Sequence, residues 1–315
     1  MTVTYADLSM HRWMLRDTVR NEAYRKALLH AVKPGDVALD VGAGTGILSM
    51  FAAAAGARKV YAVERTPTAN VARMIVETNG MSDRIEVLQS DLEEIELTEK
   101  VDVLVSEWMG GFGVDENMLA PVIIARDRFL AEGGRIVPAC VTAYMAPVWV
   151  EAFDEELAYW RTKPHGIDLG DLSTMRTQEI LESHSDLKPE HLLAEGQALW
   201  AHDAYTCTLE EADRSFVAHL TFTIAKAGKF SGLAAWFSAD MGGGIVLATG
   251  VDSPPTHWGR TLFPLEKTIE VEAGTLVSVE FRCEPISMSG CEYYWSVKVG
   301  NGPIEEHDSR GRAIT

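Results

Sequence analysis

Apolar positions follow two different rhythms along this chain, and the change of rhythm divides it. Over residues 8–32, Leu8, Leu15, Val19, Ala23, Ala27 and Leu28 recur mostly at helical spacings, and Pro34-Gly35 supplies the stop, so a helical prelude is predicted. Short apolar runs then alternate with helical patterns. Residues 37–41 read as a strand, 42–46 as a glycine turn, 47–55 as a small-residue helix, and 59–63 as a second strand ending at Glu64. A helix over 68–78 and strands over 85–89 and 101–105 continue the series. Strand, helix and strand in this order predict an α/β doubly wound architecture with a parallel sheet.

Beyond Pro138 the texture becomes that of short β-rich runs, at 141–145, 205–208, 216–224, 232–237 and 276–283, which predict a mainly antiparallel second domain. Residues 152–177 interrupt it. Their apolar members Phe153, Leu157, Tyr159, Trp160, Ile167, Leu169 and Leu172 do not alternate as in a strand. They fit either an arm burying its aromatics on a partner chain or a helix packed on its own domain. The predicted organisation is therefore N-terminal helices over 1–35, an α/β domain over 36–138, and a β-rich domain over 139–315 with the interruption at about 152–177.

Composition narrows the function classes. The chain has 315 residues, with 28 Lys and Arg against 46 Asp and Glu, a formal net charge of −18. Such a field repels phosphate backbones and anionic lipid, so neither nucleic acid nor a membrane surface is an expected partner. It favours cationic ligands, although solubility alone also explains acidity. The four cysteines, Cys140, Cys207, Cys283 and Cys291, fit neither a disulfide framework nor a paired zinc motif. No metal site is expected, and reduced cytoplasmic thiols are the simplest assignment. The N-terminal residues lack the pattern of a signal peptide, and no run of about 18 apolar residues predicts a membrane span.

Two motifs carry candidate chemistry. Asp40-Val-Gly-Ala-Gly-Thr-Gly46 sits between a predicted strand and helix, and fits either a dinucleotide fingerprint or a methyltransferase motif. A pyrophosphate needs a helix N-terminus arranged around it. S-adenosylmethionine has no phosphate and needs close backbone approach, here at Gly42 and Gly44, with an acidic group near its amino end, which Asp40 would supply. Glu64, at the next strand end, suits two ribose hydroxyls in either class, and Asp91 and Glu93 lie where an adenine would be contacted. The second motif begins where the 101–105 strand ends. Glu107 and Glu116 bracket Gly110, Gly111 and Gly113, whose tolerance of positive φ would let the loop fold back and aim both carboxylates at one point. Spacing alone fits a solvated acidic loop equally well. Position at the carboxyl end of a parallel strand, where ligand crevices form, favours function.

Together these motifs resemble the protein arginine N-methyltransferase family, over nearly the whole chain. Asp40 to Leu48 looks like its first motif, Ser106-Glu-Trp-Met-Gly with Glu116 like its double-glutamate loop, and Thr256-His-Trp258 like its Thr-His-Trp loop. Tyr5, His11, Met14, Asp17 and Arg20 occupy the spacing of its cofactor-covering segment. The resemblance implies a Rossmann-like methyltransferase domain followed by a mainly antiparallel β-barrel with an inserted helical dimerisation arm. It also implies a homodimer and S-adenosylmethionine as cofactor, leaving as S-adenosylhomocysteine. In that family's terms Tyr5, His11, Arg20, Asp40, Gly42, Gly44, Glu64 and Glu93 serve the cofactor. Glu107 and Glu116 clamp the acceptor guanidinium, His257 pairs with Asp17, and Trp258 belongs to the substrate site. Met14 and Met118 match the subgroup forming asymmetric dimethylarginine, a type I-like pattern in what looks like a divergent bacterial member. Arg12 and Trp13 stand where acidic residues are usual, and Gly111, Val114 and Asp115 replace aromatic positions of the acceptor loop. The guanidinium pocket is thus retained while its rim differs. Arginine in a peptide and free L-arginine, with Arg12 as counter-charge for its carboxylate, are both expected acceptors. Transfer to another N or O acceptor, or a non-catalytic cofactor-binding scaffold, are the alternatives.

Overall fold

A computed structural model describes residues 8–113, 116–177, 179–181, 187–287 and 290–309. Helices α1 (Leu8–Arg16) and α2 (Thr18–Ala31) precede a five-stranded sheet. The helical prelude predicted over 8–32 is divided at Asp17. That residue is extended at φ −73°, ψ 94°, and its carboxylate accepts from Arg20 N, so it caps α2 rather than continuing α1. Helical periodicity cannot register such a break, because α1 and α2 are nearly continuous in sequence.

The sheet contains β1 (Val37–Val41), β2 (Lys59–Val63), β3 (Ile85–Leu88), β4 (Val101–Ser106) and β5 (Leu130–Val137), in spatial order β3-β2-β1-β4-β5 and parallel throughout. Helices α3 (Ile47–Ala55), α4 (Thr68–Thr78) and α5 (Leu119–Phe129) connect the strands. All five residues of β1 are buried, as expected for a parallel strand covered on both faces. The carboxyl ends of β1, β2 and β4 are held level by the pairings of Val41 with Val63 and with Ser106. The two principal loops, after β1 and after β4, therefore leave the sheet side by side.

The second domain begins with β6 (Cys140–Val148) and continues, after helices α6 (Glu151–Arg161) and α7 (Gly170–Arg176), with β7 (Gln197–Asp203) and α8 (Leu209–Asp213). Then follow β8 (Phe216–Thr223), β9 (Gly228–Asp240), β10 (Val246–Ala248), β11 (Thr261–Val271), β12 (Leu276–Ser287), β13 (Gly290–Val299) and β14 (Ile304–Asp308). One antiparallel sheet runs β10-β9-β6-β7, with β11 also on β9, and the other runs β14-β13-β12-β8. Burial alternates residue by residue along β8, placing one face on the core. The strand predicted over 205–208 is instead a turn leading to α8. The sequence Thr208-Leu-Glu-Glu211 forms a capping box in which Thr208 Oγ1 accepts from Glu211 N and the Glu211 side chain accepts from Thr208 N. The interruption over 152–177 is helical, and Tyr159, Ile167, Leu172 and Met175 remain exposed on it.

The two domains share one core. Phe112, at the tip of the loop after β4, is fully buried against Phe263, Phe281 and Tyr293 of the barrel, with ring centroids 5.6, 6.0 and 5.6 Å away. Truncating this plug leaves a cavity that aromatic neighbours on rigid strands cannot close. Phe112→Ala should cost about 3–5 kcal/mol and Phe112→Leu distinctly less, as read from the denaturant midpoint of each variant.

Candidate active site

The glycine turn after β1 adopts positive φ at Gly42, Gly44 and Gly46, with values of 74°, 54° and 83°. Space is short as well. A Cβ on Gly44 would lie 3.1 Å from His11 Cε1, and one on Gly42 would meet Met118 Cε at 3.5 Å. His11, buried on α1, thus closes over the turn from one side, and the methionine after the acceptor loop closes it from another.

Glu64 is locked at the next strand end. Its Oε2 accepts from Gly44 N at 2.9 Å and its Oε1 from Thr66 N at 2.8 Å. Each oxygen keeps a lone pair for a further donor. A cleft of about 1260 Å³, open mouth included, runs from Glu64, Asp91 and Glu93 past Gly42 and Gly44 to His11, Arg20, Glu107 and Glu116. Both loop glutamates therefore reach one space, the outcome that their position at a strand end favoured, and Met14 and Met118 line it too.

The loop between the glutamates is a tight reversal. Gly110 and Gly113 exchange backbone hydrogen bonds of 3.1 and 3.3 Å, and Gly113 sits at φ 122°. Glu107 Oε1 accepts from Met109 N at 3.2 Å, while Oε2 accepts from Arg20 Nη2 at 3.1 Å. Arg20 is 5% exposed, its Nη1 donates to Asn21 Oδ1 at 2.8 Å, and its Nε has no hydrogen-bond partner among the described residues. Tyr24 lies alongside and donates to Ser106 O at 3.1 Å. Burial raises its hydroxyl well above the ordinary value, and the Glu107 charge adds to this.

Behind the glutamates the N-terminal helices and the barrel are joined through one carboxylate. Asp17 Oδ2 accepts from both His257 N and His257 Nδ1 at 2.8 Å, and Oδ1 accepts from Arg20 N at 2.9 Å. A carboxylate offers only acceptors, so Nδ1 carries the proton in this pair. Burial opposes the charge on Asp17. Hydrogen bonds from the His257 side chain and from the Arg20 and His257 backbones outweigh that cost, leaving its pKa below the ordinary value.

Several expected site residues lie outside the cleft lining. Asp40 does not face the cleft. It is fully buried beneath the turn, where Ser49 Oγ donates to its Oδ2 at 2.6 Å, so it shapes the turn from within. Trp258 is 6% exposed, donates to Met109 O at 2.9 Å and packs edge-on against Phe237, which places it beneath the loop after β4. Arg12 is exposed on α1, outside the cleft lining, because it is adjacent to His11 and so points away from the face that His11 presents. Tyr5 lies outside the described residues. Arg65, Thr66 and Ser90 line the cleft although no motif marks them; the one available signal was their adjacency to Glu64 and Asp91.

Asp40 gives the site a pH signature. Burial pushes its carboxyl up to about 6 from the ordinary 3.8, against the hydrogen bonds from Ser49. Between those values the folded protein holds a proton that the unfolded chain has released, so stability falls as pH rises through the window. Asp40→Asn keeps an acceptor for Ser49 and has no charge to bury. It should remove that decline, measured as denaturation midpoints across pH values bracketing 3.8 to about 6.

Comparison with known proteins agrees with this arrangement. A family model described as the arginine methyltransferase oligomerization subdomain matches residues 140–295, and one for ribosomal protein L11 methyltransferase (PrmA) matches residues 25–125. Protein arginine N-methyltransferase 6 of Xenopus tropicalis is 36% identical over 290 residues, covering 89% of this chain and 85% of its own length. Its counterpart from Danio rerio is 37% identical over 292 residues, covering 90% and 83%. Among solved structures, the Trypanosoma brucei PRMT1 enzyme-prozyme heterotetrameric complex with AdoHcy superposes with a TM-score of 0.86 at 30% identity, covering 97% of this chain and 99% of that one. Arabidopsis thaliana protein arginine methyltransferase 10 gives 0.80 at 28% identity, covering 97% and 99%.

Proposed function

Because the chain belongs to the protein arginine N-methyltransferase family, we infer that its cleft transfers a methyl group from S-adenosylmethionine to a guanidinium nitrogen of arginine, with S-adenosylhomocysteine as the second product. The observation that carries this reading is the convergence of Glu107 and Glu116 on the cleft that also holds the glycine turn and Glu64. Arg20 supplies an internal precedent, since Glu107 Oε2 already accepts a guanidinium N–H at 3.1 Å.

The residues present fit the cofactor. The buried, unpartnered Nε of Arg20 suits a carboxylate, the spare lone pairs of Glu64 suit ribose hydroxyls, and Gly42 and Gly44 leave their backbone bare for close approach. Glu93, exposed at the cleft rim, is the adenine-side acceptor in this reading. When bound, the cofactor supplies an electrophilic sulfonium methyl.

The chain's own residues do the rest. An arginine guanidinium stays protonated at neutral pH, so its nitrogen lone pairs are delocalised and poorly nucleophilic. Glu107 and Glu116 would hold its planar fork by paired hydrogen bonds and draw positive charge toward the nitrogens they contact, leaving the third nitrogen to form the new N–C bond and to lose a proton to solvent, so that the product is again a monocation. Glu107 is only 12% exposed at its side chain, so its charge acts with little screening by water. The Asp17–His257 pair stands behind the clamp and orients it. His257 precedes Trp258, whose Nε1 holds Met109 O two residues beyond Glu107.

Peptide-bound arginine is the favoured acceptor over free L-arginine, because Arg12, the counter-charge a free carboxylate would need, faces solvent. The helical segment that breaks the barrel strands leaves Tyr159 52%, Ile167 60% and Met175 41% exposed, which supports its use as an arm between two copies of the chain. Four unbridged cysteines fit a cytoplasmic setting.

Incubation with labelled S-adenosylmethionine and an arginine-rich peptide, free L-arginine or buffer should place label on the peptide guanidinium. Glu107→Gln and Glu116→Gln should each lower kcat by roughly 10²–10³ while changing cofactor affinity far less. Label on a non-guanidinium atom, or tight cofactor binding without transfer, would overturn the reading. Light scattering should return about twice the 34.6 kDa chain mass, and arm substitutions Tyr159→Glu with Ile167→Glu should return the single-chain value.

A further inference from the structure

The acceptor loop is anchored differently at its two ends. Glu107 belongs to the Rossmann-like side: it follows β4 directly, its Oε1 accepts from its own loop at Met109 N, and its Oε2 takes Arg20 of α2. Glu116 is followed by Asn117, whose backbone is left-handed at φ 54° and whose side chain leaves the domain altogether. Asn117 Nδ2 donates to Gly290 O at 2.6 Å, and Asn117 Oδ1 accepts from Cys291 Sγ at 3.2 Å. Both partners open β13, at the β12–β13 hairpin of the barrel, and are 173 and 174 residues away in sequence.

We propose that Asn117 is a positioning residue for Glu116, through which the β12–β13 hairpin of the barrel sets the second half of the guanidinium clamp. The proposal rests on the clamp reading above. Asparagine suits both demands made at this position. It tolerates the left-handed region better than other side chains with a Cβ. Its amide presents one donor edge and one acceptor edge, and here the Gly290 carbonyl and the Cys291 thiol use one each, which also fixes which way the amide faces. A residue so held on both backbone and side chain leaves its neighbour little freedom to swing. Glu116 lies next to Asn117, at the end of the loop remote from β4. The far side of the loop is pinned by Phe112 in the barrel core, so the barrel holds the segment carrying Glu116 at two places.

Three substitutions separate the tether from the backbone strain. Asn117→Gly keeps the left-handed conformation and deletes both side-chain bonds. It should raise KM for an arginine-rich peptide and lower kcat/KM by roughly tenfold to a hundredfold, as a small misplacement of a clamping group does. Its S-adenosylhomocysteine dissociation constant and thermal midpoint should stay near wild type. Cys291→Ala removes one bond and should give a smaller loss, whereas Cys291→Ser restores a donor and should recover most of it. Glu116→Gln is measured alongside. A defect in Glu116→Gln with wild-type kcat/KM in Asn117→Gly overturns the tether and leaves the clamp standing. No defect in either overturns both. A loss of S-adenosylhomocysteine affinity in Asn117→Gly as large as its loss of kcat/KM overturns the positioning role in favour of general loosening of the cleft.

Discussion

The site depends on one buried carboxylate. Asp17 ends α1, caps α2 and receives two hydrogen bonds from His257, so a single side chain positions elements from opposite ends of the chain. Capping places Arg20 one turn into α2 with its guanidinium on Glu107, and the His257 bonds bring Trp258 beneath the acceptor loop. Five hydrogen bonds thus connect α2, the barrel and the loop that carries Glu107. Had α1 and α2 formed one straight helix, Asp17 would have been an ordinary helical residue and Arg20 would have approached β4 at another angle.

Charge is arranged around that node with the same economy. Glu64, Asp91, Glu93, Glu107 and Glu116 give the cleft an acidic lining, and Arg20 interrupts it beside Glu107. Backbone N–H groups satisfy both oxygens of Glu64 and one of Glu107, so these anions are oriented before any ligand arrives. Asp40 illustrates the cost of the opposite environment. Its charge is buried under the turn with Ser49 for company, and its pKa rises accordingly.

Local patterning made much of this legible. Strands 37–41 and 59–63 and helices 47–55 and 68–78 coincide with the observed elements, because buried parallel strands and amphipathic or small-residue helices differ sharply in period and in their glycine punctuation. The convergence of Glu107 and Glu116 was partly legible, because glycines tolerant of positive φ let the loop fold back and clefts form at the carboxyl ends of parallel strands. Residues 205–208 failed because Tyr205 and Cys207 alternate as in a strand while Thr208 and Glu211 write a helix cap, and the cap prevailed. A motif marks Trp258 without saying on which side of the loop it stands, and its place beneath Met109 came from the fold.

The sequence by itself determined the order of the α/β elements, the glycine turn and the pair of glutamates bracketing a glycine-rich loop at a strand end. Each depends on spacings of a few residues, over which backbone conformation is locally decided. Only the tertiary structure decided that Asp40 turns inward, that Arg12 faces water, that Phe112 seals the barrel and that Asn117 reaches Gly290 and Cys291. Those outcomes depend on groups brought together across the domain seam, where burial and the pairing of donors with acceptors are settled by partners far away in sequence.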